Sequence, residues 1–342
     1  MKEAARSPMK NTAMTQIVHR LRNADRSLVQ LILLTILIFA GMSLLNPQKF
    51  LRPYVFESIT YLAPELGLLS IAMMLAMLTG GIDLSVIGLA NLSGILAGLF
   101  FHAVGGAHGP GLTHLGLLPL VAGIGIALLT GLAGGAINGF LITRLKITPI
   151  LATIGSGQIY TGIALVLTGG PAIVGFPMQW SALGNDSVGG IALPLIVYLV
   201  VATAIAVMLA RTPFGLSLQL IGTNARAARF AGLRTDRTVL LSYVLIGLLA
   251  AMAGILLSSR TNAAKSDYGI SYLLEAVLVA VLGGTNPAGG KGSVLGVSVA
   301  LVALMLLSTG LQLLRFSNFL VDFIWGAFLL LSIALNARRR MG

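Results

Sequence analysis

The chain has 342 residues, 56% of them hydrophobic and only 9% charged, with a mean hydropathy of +0.95. A soluble domain carries about a quarter of its residues as Asp, Glu, Lys and Arg, so water is excluded as the main solvent. The absence of cysteine excludes disulfides, thiolate metal sites and cysteine nucleophiles. The net charge of +12 lies in short segments between apolar runs, which fits membrane topology and argues against nucleic acid.

Lys2, Arg6, Lys10, Arg20, Arg22 and Arg26 form a basic segment over 1–27, and an apolar run follows. Asn46-Pro47 after that run lacks a small-x-small cleavage pattern, so 28–45 reads as a retained first span and not as a removed signal peptide. Stretches near the ~20 apolar residues needed to cross a bilayer follow at 59–79, 83–104, 117–140, 148–168, 190–210, 238–258, 271–289, 293–313 and 318–336. The expected architecture is therefore an all-α membrane protein of about ten transmembrane helices, one domain over 28–336 with a basic tail over 337–342.

Charge orients it. With the N-terminus in the cytoplasm, the inside holds 17 basic residues: the N-terminal six, Arg144, Lys146, Arg211, Arg226, Arg229, Arg234, Arg237, Lys291 and Arg338 to Arg340. The outside holds five: Lys49, Arg52, Arg260, Lys265 and Arg315. That asymmetry predicts an even number of spans with both termini cytoplasmic. No stretch is left for a separate soluble core, since the outer connections at 105–116 and 169–189 are too short for one.

Gly80-Gly81-Ile82-Asp83 interrupts the second and third apolar runs. Two glycines favour a break and Asp83 can cap the helix that restarts. The segment reads either as a tight turn between spans or as a discontinuous helix whose N-terminus lines a solute path. Glu65 and Glu275 fall within apolar runs, where a charge costs about 2.5–3.5 kcal/mol on insertion scales, so each is expected to face a partner or a wet cavity. Asn91, Asn138, Gln158 and Tyr160 either join such a cavity or bond neighbouring helices.

Gly283 to Ser293 is rich in glycine but is no phosphate-binding loop, because Gly292 follows Lys291 where a Ser or Thr hydroxyl is required. It reads as an inter-span turn anchored inside by Lys291. In the long inner connection 211–237, Thr223 or Asn224 offers an N-cap and Gly232 a C-terminal stop, which predicts one short helix over 224–231. Ala227, Phe230 and Ala231 share a face there, flanked by Arg226 and Arg229, suited to a partner protein or to anionic lipid. His102, His108 and His114 fit no zinc spacing, and no catalytic constellation is present.

Several of these segments resemble the permeases of ribose, xylose, arabinose, rhamnose and autoinducer importers. The resemblance is carried by Gly80-Gly81-Ile82-Asp83-Leu84-Ser85-Val86, Asn138-Gly139, Ile147-Thr148-Pro149 through Gly155, and Leu282-Gly283-Gly284 through Gly290. It extends to Gly222-Thr223-Asn224, Ala227-Ala228 and Gly232, and covers the chain from about residue 60 onward. Ile87-Gly88 stands where that family often has Gly-Ser. The resemblance implies a non-catalytic permease of a bacterial inner-membrane ABC importer, which binds no cofactor itself. ATP and Mg would sit on a cytoplasmic ABC ATPase, a periplasmic sugar-binding protein would deliver the solute, and the permease would pair with a second copy or a sister.

On that reading the ATPase-coupling helix comprises Asn224, Arg226, Ala227, Ala228, Phe230 and Gly232. The translocation path comprises Gly80, Gly81, Asp83, Asn91, Asn138 and Glu275, with no metal site. Two other readings remain at this point: a branched-chain amino-acid permease of a related importer, and an ion-gradient transporter using Glu65, Asp83 or Glu275.

Overall fold

The computed structural model describes residues 26–105, 116–317, 319–321 and 323–330. The basic N-terminal segment up to Asp25, the arginine tail, His108 and His114 lie outside these residues. Thirteen helices are named here: α1 (Arg26–Leu45), α2 (Pro47–Phe50), α3 (Pro53–Leu78), α4 (Val86–Gly105), α5 (Leu117–Thr143), α6 (Pro149–Thr168), α7 (Met178–Asn185), α8 (Leu193–Arg211), α9 (Pro213–Thr223), α10 (Ala225–Phe230), α11 (Thr235–Thr261), α12 (Ser271–Leu282) and α13 (Val294–Leu313). A shorter apolar helix, Phe319–Leu330, follows.

Eight of the described helices are long and apolar enough to cross a membrane: the run Leu28–Leu45 of α1, then α3, α4, α5, α6, α8, α11 and α13. The protein is thus an all-α multi-pass membrane protein. Their starts follow the local rules, with proline in the first turn of α3, α6, α8 and α9, where its missing N–H costs no hydrogen bond. The expected span 271–289 is corrected: α12 ends at Leu282, and Gly284, Gly289 and Gly290 take positive φ in the turn beyond. Left-handed backbone at three positions ends a helix where hydropathy alone continued it.

The centre of the bundle is α3, buried without a break from Ala63 to Leu78 and packed against α8, α11, α12 and α13. α11 and α5 make the tightest pair. Gly131, Gly135 and Gly139 put one side of α5 against Gly247, Tyr243 and Leu240, with the Gly131 and Gly247 backbones in direct contact. Between helices in lipid, small residues supply association through close backbone approach.

The connection 169–192 is more structured than its polarity suggests. A two-residue strand, Ile173–Val174, pairs antiparallel with Ala263–Ala264, and α7 packs on the end of α11. Trp180 is fully buried against Phe101 and Phe176 and donates to Ser258 Oγ at 3.2 Å. His102 Nε2 lies 3.0 Å from Val174 O, which ties α4 to this far end of the bundle.

Candidate functional site

Three groups of residues distinguish this bundle from a merely apolar one. The first lies in the break between α3 and α4. Gly80 adopts φ 79°, and Gly81 lies so close to Pro149 and the Tyr243 hydroxyl that a Cβ would meet them at 2.9 and 2.6 Å. Asp83, 1% exposed, accepts from Ser85 N at 2.9 Å and Ser85 Oγ at 2.6 Å. Asn138 Nδ2 in turn donates to Ser85 Oγ at 2.7 Å, and Tyr160 donates its hydroxyl to Gly134 O at 2.9 Å. Thr153 Oγ1 accepts from Leu84 N at 3.1 Å. Asp83 therefore orders the turn that precedes α4, and its carboxylate oxygen reaches Ser85 and not an amide inside the helix. The chain Asn138 to Ser85 to Asp83 joins α5 to the break.

The second group lies further along α3. Pro64 interrupts the helical hydrogen bonds, and the next residue, Glu65, is 1% exposed. Arg260 in the last turn of α11 binds it twice, Nε to Oε1 at 2.5 Å and Nη2 to Oε2 at 3.2 Å. Asn91 of α4 donates to Ser266 O at 3.0 Å and Tyr268 O at 2.9 Å, so it holds the connection 262–270 down into the bundle. Glu65, Asn91, Tyr268 and Tyr272 line one small cavity together.

The third group forms the basic end. The connection 211–237 holds two helices where the caps predicted one. Thr212 caps α9 by accepting from Gly215 N at 3.3 Å, with Pro213 in the first turn. Asn224 caps α10 as expected, accepting from Ala227 N at 3.0 Å. α10 ends as Gly232 N bonds Arg229 O and Leu233 N bonds Ala228 O, with Gly232 at φ 84°. Ala228 faces the protein, whereas Ala227, Ala231 and Arg226 are exposed and Phe230 is 93% exposed. Asp236 bridges Arg229 at 3.1 Å and Lys146 at 2.9 Å, which fixes α10 to the starts of α6 and α11.

A glycine junction links this end to the spans. Gly222 of α9 abuts the Leu78 carbonyl, Gly289 abuts Gly222, and Gly290 donates its N–H to Leu78 O at 3.0 Å. No side chain fits between these three backbones. Asn286 closes the 283–293 turn, donating to Gly289 O at 2.8 Å and accepting from Ala288 N at 3.0 Å.

Of the residues singled out for a path, Gly80, Gly81, Asp83 and Asn138 meet in the first group and Asn91 in the second. Glu275 is buried on α12, one turn after Tyr272. Arg260, Tyr268 and Tyr272 were not foreseen. The pair Tyr268 and Tyr272 at helical spacing beside Lys265 and Asp267 was the available signal. Among the described residues, no cluster of three or more His, Asp or Glu side chains is arranged to hold a metal ion.

The bundle encloses polar networks and joins them, through the glycine junction, to two short helices at its basic end. Residues 55–333 match the family described as branched-chain amino acid transport system / permease component, and the chain belongs to that family. It is a non-catalytic permease component of a bacterial ABC-type solute importer, a multi-pass inner-membrane protein.

The chain is 33% identical over 300 residues to the ribose import permease protein RbsC of Bacillus subtilis, covering 87% of this chain and 89% of that one. It is 32% identical over 274 residues to the autoinducer 2 import system permease protein LsrD of Yersinia enterocolitica, covering 78% and 79%. The LsrD protein of Klebsiella pneumoniae is 31% identical over 318 residues, covering 91% and 90%. No solved structure matches the chain.

Proposed function

We propose that this chain carries a monosaccharide or similar polyol-like solute inward by alternating access, as one of two permeases. Cytoplasmic ABC ATPases hold ATP and Mg and drive it, and a periplasmic sugar-binding protein delivers the solute. The eight long helices, α12 and the helix Phe319–Leu330 make ten crossings, with both termini and the basic end in the cytoplasm.

The observation that carries this reading is the glycine junction. α10 offers Phe230, Ala227 and Ala231 to a docking ATPase, with Asn224 and Gly232 fixing its two ends, Ala228 seating it and Arg226 at its side. A push on α10 passes through α9 to Gly222, and from there to Leu78 and Gly290 without a compressible side chain between. Leu78 ends the central helix, and the break at Gly80, Gly81 and Asp83 follows at once. The cytoplasmic half of the path opens at this break beside Asn138. Asn91 and Glu275 border the path further along, next to the connection 262–270.

The names of the relatives, ribose and autoinducer 2 permeases, support a sugar-like solute. The family description favours a second reading, a branched-chain amino acid. An ion-gradient transporter is disfavoured because Glu65 is paired with Arg260 and the Asp83 carboxylate is closed in and held by Ser85.

The test is uptake of labelled pentoses, deoxyhexoses and leucine into proteoliposomes holding the chain with its ATPase and binding protein. Sugar uptake that needs ATP and survives collapse of ion gradients is expected. Leucine uptake alone would select the second reading. Uptake that follows a proton or sodium gradient without ATP would overturn the importer.

A further inference from the structure

Arg234 and Arg237 stand at the start of α11, where the helix already carries its own positive end. Cations there have the wrong sign for the dipole, and Arg234 at the cap position makes no side-chain cap hydrogen bond. Asp236, the acidic residue of that first turn, is already held by Lys146 at 2.9 Å and by Arg229 at 3.1 Å. The start of α11 is thus left with a standing cost that a bound anion would remove.

The same two arginines, with Arg144 at the end of α5 and Arg229 of α10, line one open cavity of about 450 Å³. That volume lies within the range of small-ligand sites. Asp236 is the one carboxylate on its wall. Arg144, Arg234 and Arg237 make no ion pair among the described residues. The positive-inside rule asks only for positive charge near this end of the spans. It does not ask for four arginines around one cavity, nor for two of them at the amino end of a helix. A guanidinium offers a planar fork of donors that fits the oxygens of a phosphate.

The remaining wall is apolar and leads into the membrane. Leu233 and Leu240 line the cavity, and Leu240 lies about 7.5 Å along the spanning helix that starts at Thr235, at 1.5 Å per residue. Beyond it α5 and α11 leave Phe140 and Leu241 exposed. A basic rim above an apolar floor matches a phospholipid, charged at its phosphate and apolar below, better than a soluble phosphate. Ala227, Phe230 and Ala231, the face of α10 offered to an ATPase, do not line this cavity.

We propose that the cavity between α5, α10 and the start of α11 binds the phosphate headgroup of an anionic phospholipid, with the four arginines on the phosphate and Leu233 and Leu240 against the chain below it. Basic pockets at the ends of membrane helices take such headgroups. The site is independent of which solute is carried and of what drives transport.

Native mass spectrometry of the full chain in detergent, titrated with dioleoylphosphatidylglycerol, reads the binding. This lipid is expected to bind roughly tenfold or more tightly than dioleoylphosphatidylcholine. Arg144→Gln combined with Arg237→Gln is expected to abolish the preference; both side chains are exposed, so matched thermal melting is expected. Arg211→Gln combined with Lys291→Gln, the same charge lost at the same end, is expected to keep the preference within about twofold, since neither residue lines the cavity. Equal affinity for the two lipids, or an equal loss in both double variants, would reduce the effect to bulk charge and overturn the site. Displacement of the lipid by equimolar glycerol 3-phosphate would make the occupant a soluble phosphate and overturn the lipid. Release of phosphatidylglycerol on addition of the partner ATPase would make the cavity part of a protein interface and overturn it as well.

Discussion

Arg260 reaches across 195 residues of sequence to bind Glu65 with both ends of its guanidinium, 2.5 and 3.2 Å from the two carboxylate oxygens. Glu65 is enclosed beside Pro64 in the central helix, whereas Arg260 keeps partial access at the end of α11. The pair therefore fastens α11 to the middle of α3.

Removing one partner strands the other charge. Arg260→Ala is expected to destabilise the protein by about 3 kcal/mol, the low end for a buried pair because the arginine is partly exposed. Glu65→Leu combined with Arg260→Met is expected to recover most of that loss. Thermal melting in detergent followed by tryptophan emission checks both, since Trp180 bonds Ser258, two residues from Arg260. Equal losses in the single and double variants would show that the ion pair is not what holds α11.

Asn91 holds two carbonyls of the connection 262–270 with one amide. Asn91→Leu keeps the volume and leaves Ser266 O and Tyr268 O unbonded, a loss of about 1–3 kcal/mol local to that segment. The expected outcome is faster modification of Ser266→Cys by a membrane-impermeant maleimide when Asn91→Leu is also present. An unchanged rate would mean that the strand pairing of Ala263 and Ala264 holds the segment alone.

How far these features were legible follows from where their partners lie in the sequence. The ends of α10 were readable because Asn224 and Gly232 act on their own neighbours. α9 carried the same kind of signal in Thr212-Pro213, but its buried face, Gly215, Leu218 and Ile221, is small and was not separated from the loop. The break at Gly80-Gly81 was readable. Asn138 was expected on the same path and Tyr160 at a cavity or helix contact, but the closure by Thr153 and Tyr243 was not readable, since those come from two further helices. Trp180 sits in a polar stretch that looks like loop, and only Phe101 and Phe176 make it core. Arg260 looked like a charge for the outer connection because the end of α11 is set by Asn262, at φ 49°, and not by hydropathy.

Phe230 separates docking from folding. It is almost fully exposed, so Phe230→Asp is expected to change stability by no more than ~0.5 kcal/mol. Aromatic anchors dominate contact energies, so affinity for the ATPase should fall by roughly tenfold or more, and stimulated ATP hydrolysis with it. Adding Gly232→Leu, which forces a side chain into the left-handed region, should disorder the end of α10 as well. Normal uptake and ATPase stimulation by the double variant at normal expression would place the docking surface elsewhere.

Asp83 tests what the break between α3 and α4 requires, its charge or its hydrogen bonds. Its Oδ1 accepts from both Ser85 N and Ser85 Oγ, and Ser85 Oγ accepts from Asn138. Asn at position 83 keeps an oxygen in that place and loses only the charge. Asp83→Asn is expected to fold normally and to keep ATP-dependent uptake within a few-fold of the parent. Leu at the same position keeps the bulk and removes the acceptor, leaving Ser85 N–H unpaired in a closed site at a cost of about 1–3 kcal/mol. Asp83→Leu should therefore lose both thermal stability and uptake. The ion-coupled alternative predicts the reverse order for Asn, because a carrier that protonates or binds sodium at Asp83 loses its coupling with the charge, however well the turn is kept. Measuring uptake by the two variants with and without ATP, at matched protein amounts, decides between a structural turn and a coupling carboxylate.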